Sequence, residues 1–246
     1  MAKEYLSKQQ YQQWRYPTTE DFASLQANLR LVLWDFDIPI THLFSGLSAY
    51  TVTQYLRDYL WEKGLAKEED LIDTDPHTIY RRGKRFADND IESYFELERL
   101  LTEKECEAAK LADPTPNAIE LIRALDANGI QQAIVTNNSP KAATIYLQKQ
   151  KLEHIFKDYI FGRDKAYPNH LKPSPIMLKK AMSLADIPAN QCLMIGDSIT
   201  DYQAAKKAKV QFLGFTYTPS KCALLHAAGA TFVTSTYQPW LDILKS

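Results

Sequence analysis

Four short segments carry most of the side chains with chemical reach. They are Leu31-Val32-Leu33-Trp34-Asp35-Phe36-Asp37, Ala133-Ile134-Val135-Thr136-Asn137-Asn138, Lys172-Pro173, and Leu193-Met194-Ile195-Gly196-Asp197-Ser198-Ile199-Thr200-Asp201. Asp35 and Asp37 stand two residues apart, so on an extended chain both carboxylates point to the same side. A carboxylate at a strand end is suited to nucleophilic attack, and a neighbour on the same side to proton exchange. Asp197 and Asp201 are one helical turn apart, which puts them on one side of a helix start. Thr136 and Asn137 offer hydrogen-bond donors, and Lys172 a positive point charge. Carboxylates crowded around an anionic reactant repel it unless a cation intervenes, and a hard ion such as Mg²⁺ takes oxygen ligands.

These side chains need a scaffold that brings them to one place. Three of the segments are apolar runs that stop on a polar residue, which is how a buried parallel strand reads when its carboxyl end delivers side chains to a site. Open α/β sheets bind ligands at such strand ends. After Thr136, helical patterns over 141–150, 176–185, 202–208 and 221–228 alternate with apolar runs over 159–162, 193–196, 211–215 and 231–233. That alternation predicts an α/β fold, a doubly wound parallel sheet with right-handed crossovers. Residues 41–112 show no strand signal; helical patterns include 55–61, 92–101 and 103–111, so this stretch reads as an inserted all-helical lobe. Asp113-Pro114-Thr115-Pro116 then reads as a stiff return hinge, followed by a capped helix over 117–128. The expected organisation is a core of residues 1–40 and 113–246 and a helical cap of 41–112. Residues 1–28 form an N-terminal helical extension, with one helix around Gln9–Trp14 and a capped second one after Thr18.

The order Asp-x-Asp, Thr after an apolar strand, Lys before Pro, and Gly-Asp-Ser-x-x-x-Asp resembles the haloacid dehalogenase-like (HAD) hydrolase superfamily. The likeness runs from about Leu31 to the C-terminus and looks closest to the phosphatase branch, with a helical cap inserted after the first motif. It implies a Rossmann-like core and a Mg²⁺-dependent phosphatase acting on a small phosphorylated metabolite. In that reading Asp35 forms an aspartyl-phosphate, Asp37 serves as acid and base, and Thr136, Asn137 and Lys172 hold the phosphoryl group. Mg²⁺ would sit on Asp35, the main-chain carbonyl of Asp37 and Asp197, with Asp201 holding metal-bound water or orienting the Ser198 region. Lys165 is a rival to Lys172, but it precedes Ala-Tyr-Pro rather than Pro-Ser-Pro. Dehalogenase members generally lack the second aspartate, so Asp37 favours phosphoryl chemistry. One departure stands out: the family pattern continues with Gly and then Thr or Val, whereas Ile38-Pro39-Ile40-Thr41 follows here. A β-branched residue and a proline restrict the loop. This keeps a second class in view, a binding or regulatory protein that retains the fold without the catalysis. A phosphomutase or a phosphonate hydrolase is a third reading, the latter needing a cap lysine such as Lys63, Lys67 or Lys84.

Specificity is expected to come from the cap. The basic cluster around Arg81, Arg82 and Arg85 offers charges for an acidic substrate group, although a solvated helix face is the commoner reason for any one such arginine. His42, just past the first motif, is placed to line an entrance. With 29 basic and 30 acidic residues the overall charge recruits neither nucleic acid nor a membrane surface. The N-terminus lacks a secretory apolar stretch, and no window approaches the roughly 18 apolar residues of a membrane span. Cys106, Cys192 and Cys222 are widely spaced and odd in number, which fits reduced thiols. A cytoplasmic monomer or homodimer is the expectation.

Overall fold

The computed structural model describes residues 16–67, 75–86 and 90–245. The expected helix over Gln9–Trp14 lies outside the described residues, as do the side chains of Lys84 and Arg85. In chain order the elements begin with α1 (Thr19–Gln26), β1 (Leu31–Trp34), β2 (Thr41–His42), α2 (Ala49–Glu62), α3 (Pro76–Phe86), α4 (Ile91–Leu111) and β3 (Asp113–Pro114). They continue with α5 (Ala118–Ala127), β4 (Gln131–Val135), α6 (Pro140–Gln150), α7 (Glu153–Phe156), β5 (Ile160–Phe161), α8 (Ile176–Ala185) and β6 (Cys192–Gly196). The last are α9 (Ile199–Ala208), β7 (Gln211–Phe215), α10 (Pro219–Ala228), β8 (Phe232–Thr234) and α11 (Gln238–Leu244).

Six strands form one parallel sheet in the order β5-β4-β1-β6-β7-β8. The order steps outward from β1 in both directions, so β1 lies inside the sheet, flanked by β4 and β6. Strand residues alternate between two separate cores. Val32, Trp34, Ile134, Leu193 and Ile195 join one core, with α1, α5, α6 and α11 supplying residues such as Phe22, Ile122, Tyr146 and Trp240. Leu31, Leu33, Ala133, Val135 and Met194 join the other, against Leu178 of α8, Ala205 of α9 and Leu225 of α10. Burial on both faces is why these strands read as unbroken apolar runs. It also places the polar residues just after each run at the strand's carboxyl end.

The helical stretch between β1 and β4 differs from expectation at three points. Residues Thr41–His42 are extended and pair antiparallel with Asp113–Pro114, so a two-strand ribbon closes the base of the insertion. Thr41 Oγ1 also donates to the Asp113 carbonyl at 2.7 Å. A two-residue pairing leaves too little alternation to be read from sequence. Secondly, 91–111 is one continuous helix rather than two, because Thr102 turns its hydroxyl to Glu98 Oε1 at 2.7 Å and leaves the helical backbone undisturbed. Thirdly, Asn117 precedes α5 in a left-handed conformation (φ 64°) and caps it without a side-chain hydrogen bond. The second N-terminal helix is capped as expected, Thr18 and Asp21 bonding reciprocally. None of the described helices is long and apolar enough to cross a membrane.

The insertion has its own core, in which Val52, Leu56 and Leu60 of α2 pack on Ile79 and Tyr80 of α3 and on Tyr94, Leu97 and Leu101 of α4. Helix α4 is long enough to leave that core and dock on the sheet domain, where Cys106, Ala108 and Ala109 join the first sheet core. A buried ionic cluster marks the junction. Glu105 of α4 is 0% exposed and accepts from Arg163 Nη1 at 2.8 Å, Arg163 Nη2 at 2.7 Å, Asn138 Nδ2 at 3.0 Å and the Ser139 N–H at 2.9 Å. His77 Nε2 lies 3.2 Å away. Burial alone would raise the Glu105 pKa, but the charge of Arg163 and the bonds from His77 and Arg163 bring it down to about 2. Removing one partner of a buried pair strands the other. Glu105→Ala should therefore destabilise the protein by about 3 kcal/mol, read as a lower urea midpoint.

Candidate active site

Strands β1, β4 and β6 end side by side, and the segments beyond them, together with the β5–α8 connection, bring five of the expected residues together. Lys172, in the connection between β5 and α8, is only 2% exposed. Its Nζ lies 2.7 Å from Asp35 Oδ1 and 2.5 Å from Asp201 Oδ1, and donates to the Val135 carbonyl at 2.8 Å. Burial disfavours the ammonium, yet Asp201 and Asp35 outweigh it and raise the Lys172 pKa above the ordinary value. Asn137 holds this lysine from behind: its Oδ1 accepts the Lys172 N–H at 2.8 Å and its Nδ2 donates to the Lys172 carbonyl at 3.2 Å. The Asn137 amide is thus engaged in placing Lys172.

Asp201 is set by the start of α9. Ser198 caps the helix, and Asp201 Oδ2 accepts both the Ser198 N–H at 3.0 Å and its Oγ–H at 2.6 Å, a capping box. This leaves Oδ1 for Lys172. The turn requires a glycine, since a Cβ on Gly196 would lie 2.6 Å from Asp201 Cγ. Asp35, Asp197 and Asp201 each offer an oxygen within 4.8 Å of the others. Lys221 of α10 reaches the same cluster and pairs with Asp197 Oδ2. Asp37 stands apart from that group of three. Its Oδ1 accepts the Leu43 N–H at 2.9 Å.

Carboxylate crowding dominates the electrostatics. Burial first, and then Asp201, raise Asp35 to about 7 against the pull of Lys172. Burial first, and then Asp197, raise Asp37 to about 8, with the Leu43 N–H acting in the opposite sense. Asp197 is raised as well, by burial, in spite of Lys221. Four carboxylates against two ammonium groups leave room for further positive charge. The donor set of oxygens alone suits a hard divalent cation such as Mg²⁺, so the residues present fit the ion the sequence implies.

The loop after Asp37 accommodates its unusual sequence. Ile38 adopts φ 81°, a region costly for a β-branched residue, by about 1–2 kcal/mol. Several bonds hold it there: Ile38 N–H to the Thr41 carbonyl at 2.6 Å, Thr115 Oγ1–H to the Ile38 carbonyl, Thr115 N–H to the Ile40 carbonyl at 3.0 Å, and Tyr237 O–H to the Pro39 carbonyl at 2.9 Å. Thr136 is buried, its hydroxyl donating to Asn138 Oδ1 at 3.0 Å while accepting the Asn138 N–H at 3.1 Å. His42 stacks on Tyr217, ring centroids 5.7 Å apart. In the cap, Arg81 is exposed and faces Asp75 at 4.0 Å, and Arg82 is half-buried on the same helix. Lys165 lies over the Phe95 ring, 4.9 Å from its centroid. Sequence reasoning missed Lys221, Tyr217 and the Glu105–Arg163 pair; the rule that strand carboxyl ends face the site could have flagged the β7–α10 loop.

A family model described as haloacid dehalogenase-like hydrolase matches residues 32–215. The chain belongs to this family. A phosphoglycolate phosphatase of Pseudomonas fluorescens is 28% identical over 193 residues, spanning 76% of this chain and 70% of the relative. One of Vibrio vulnificus is 32% identical over 135 residues, 55% of this chain and 58% of the relative. Among solved structures, a HAD hydrolase of family IA, variant 3, from Entamoeba histolytica has TM-score 0.63 at 20% identity, covering 89% of this chain and 100% of that one. A "predicted phosphoglycolate phosphatase" of Haemophilus somnus has TM-score 0.61 at 21% identity, covering 89% and 97%. These likenesses show the shared HAD fold.

The raised pKa values carry a sign. A carboxyl held at about 8 binds its proton more tightly in the folded protein than in the unfolded chain, where its ordinary value is 3.8. Between those values the folded state carries the extra proton, so stability falls as pH rises through the window. In EDTA the melting temperature should drop between about pH 4 and pH 8, and Asp37→Asn should flatten that drop. An unchanged slope in thermal melts of the variant would contradict the assignment.

Proposed function

We propose that this chain is a Mg²⁺-dependent phosphatase that hydrolyses a small phosphorylated metabolite through an aspartyl-phosphate on Asp35. The observation that carries the reading is the convergence of Asp35, Asp197 and Asp201 on one point, with the buried Lys172 ammonium bridging Asp35 and Asp201. A nucleophile of this kind must be ionised and fixed in direction. Lys172 does both: its charge favours the Asp35 carboxylate, and its contact with Oδ1 restrains the carboxylate's rotation. Asp35, Asp197 and the Asp37 carbonyl would hold Mg²⁺, with Asp201 behind them. The ion would neutralise phosphoryl oxygens and lower the cost of crowding these carboxylates.

Asp37 has the features of the proton carrier. Because Oδ1 accepts the Leu43 N–H, Oδ2 is the oxygen left to carry the proton. A carboxyl raised to about 8 keeps that proton near neutral pH and can give it to the leaving oxygen. Once ionised, the same oxygen can take a proton from the water that attacks the phospho-enzyme. Lys172 remains the cation nearest the transferred group, with Asn137 clasping its main chain, and Thr136 and Asn137 stand beside it at the end of β4 as the further phosphoryl-binding residues of this reading. The well-bonded Ile38 loop supports catalysis over the binding-protein alternative, since Asp37 is anchored on both sides of the turn.

The relatives named phosphoglycolate phosphatase support a small phosphorylated carboxylic acid as the substrate class. The test is hydrolysis of p-nitrophenyl phosphate and of 2-phosphoglycolate with Mg²⁺ and with EDTA. Activity should require the metal, and Asp35→Asn should lower kcat by at least about a thousandfold. Metal-independent turnover, or an Asp35→Asn enzyme at wild-type rate, would sink the mechanism. Of the two esters, 2-phosphoglycolate should show the higher kcat/KM; the reverse order would remove the carboxylic-acid substrate class and leave the mechanism standing.

A further inference from the structure

Lys221 belongs to none of the motifs, yet its side chain ends in the acid cluster. It sits in the first turn of α10, two residues after Pro219, and its Nζ pairs with Asp197 Oδ2. Each carboxylate of the group of three therefore already has a positive partner: Lys172 serves Asp35 and Asp201, and Lys221 serves Asp197. The two lysines differ in how firmly they are held. Lys172 is buried, contacts three acceptors from three parts of the chain, and has its main chain clasped by Asn137. Lys221 has a side chain 46% exposed, and its four-carbon stem can swing into water at little cost.

We propose that Lys221 is the exchangeable counter-ion of the acid cluster, sharing Asp197 with the divalent cation and giving up Oδ2 when the cation binds. The inference rests on the proposed cation site of Asp35, Asp197 and the Asp37 carbonyl, with Asp201 behind them. Its physical basis is short-range repulsion. An ammonium on Oδ2 and a divalent ion drawn to the same Asp197 carboxylate repel each other strongly at a site this buried. Of the cations present, the half-exposed one regains the most hydration on leaving. A competitor inside the site lowers the apparent affinity for the ion, because binding must first displace it. The same contact steadies the cluster when no ion is bound.

The test needs no turnover. Mg²⁺ binding to the full-length protein, stripped with EDTA and dialysed, is measured by isothermal titration calorimetry and by thermal shift for wild type, Lys221→Met, Lys221→Arg and Asp197→Asn. Lys221→Met keeps the apolar stem and removes the charge; at a half-exposed position it is compatible with folding. It should bind Mg²⁺ about tenfold more tightly than wild type, and show a lower melting temperature in EDTA with a larger gain on adding Mg²⁺. Lys221→Arg, which keeps a cation there, should stay near wild type. Equal or weaker Mg²⁺ binding by Lys221→Met would overturn the proposal, since a lysine that only orients Asp197 weakens binding when removed and one that only meets substrate leaves it unchanged. Asp197→Asn separates the two readings: it should lose Mg²⁺ binding, and wild-type affinity there would overturn the cation site itself, whatever Lys221 does.

Discussion

A buried ammonium holds this site together. Without Lys172, Asp35 and Asp201 would face each other buried at the strand ends, with Asp197 beside them and no cation of the chain's own between Asp35 and Asp201. Such crowding favours protonation or separation of the carboxylates, and either result would spoil a nucleophile. The lysine in turn stays charged only because these aspartates and the Val135 carbonyl replace the water it has lost. Each partner thus makes the other's burial tolerable. The surrounding details serve that exchange: Asn137 clasps the lysine's main chain, Ser198 takes one oxygen of Asp201 and leaves the other for Lys172, and Gly196 lets Asp201 come close.

The second constraint is the docking of the inserted helices. Helix α4 runs from the cap's own core onto the sheet domain, and Glu105 bonds the loop that follows β4. Through Asn138 this contact reaches Thr136, and through the Asn137 carbonyl, which accepts from Arg163 Nη1 at 3.1 Å, it reaches the residue that clasps Lys172. The cap is therefore bonded to the residues that shape the site. Helix α3 also meets the sheet domain directly, His77 Nε2 lying 3.2 Å from Asn138 Nδ2 and Arg163 stacking over the Tyr80 ring, while Leu171 joins the cap's core.

The loop after Asp37 shows how tertiary contacts override a local preference. Isoleucine and proline in place of the usual small residues argue for a disturbed turn, and Ile38 does occupy an unfavourable φ. Thr115, Tyr237 and Thr41 nevertheless supply enough hydrogen bonds to hold it. Two of these partners come from distant parts of the chain, so no reading of the loop by itself could have found them. Local strain of this kind persists where the surrounding structure over-determines it.

Much was legible in the sequence because the signals are local. Apolar runs ending at Asp35, Thr136 and Asp197 marked strands buried on both faces, and period-two and one-turn spacings grouped Asp35 with Asp37 and Asp197 with Asp201. The parallel sheet, the inserted helical lobe and the likeness to HAD hydrolases followed from those patterns. What stayed hidden depended on pairs far apart in sequence. The ribbon of Thr41–His42 with Asp113–Pro114 is too short to leave a periodic trace. Nothing in the local sequence marks Glu105 or Arg163, which meet only because the fold buries one against the other. Lys221, 24 residues after Asp197, meets it only because β7 lies beside β6 and the loop beyond β7 turns back over the strand ends. Sequence alone determined which residues could do chemistry and on which elements they stand, because strand and helix periodicity are properties of neighbours. Only the tertiary structure decided which charges face one another, because burial and ion pairing depend on distances in space that spacing along the chain does not encode.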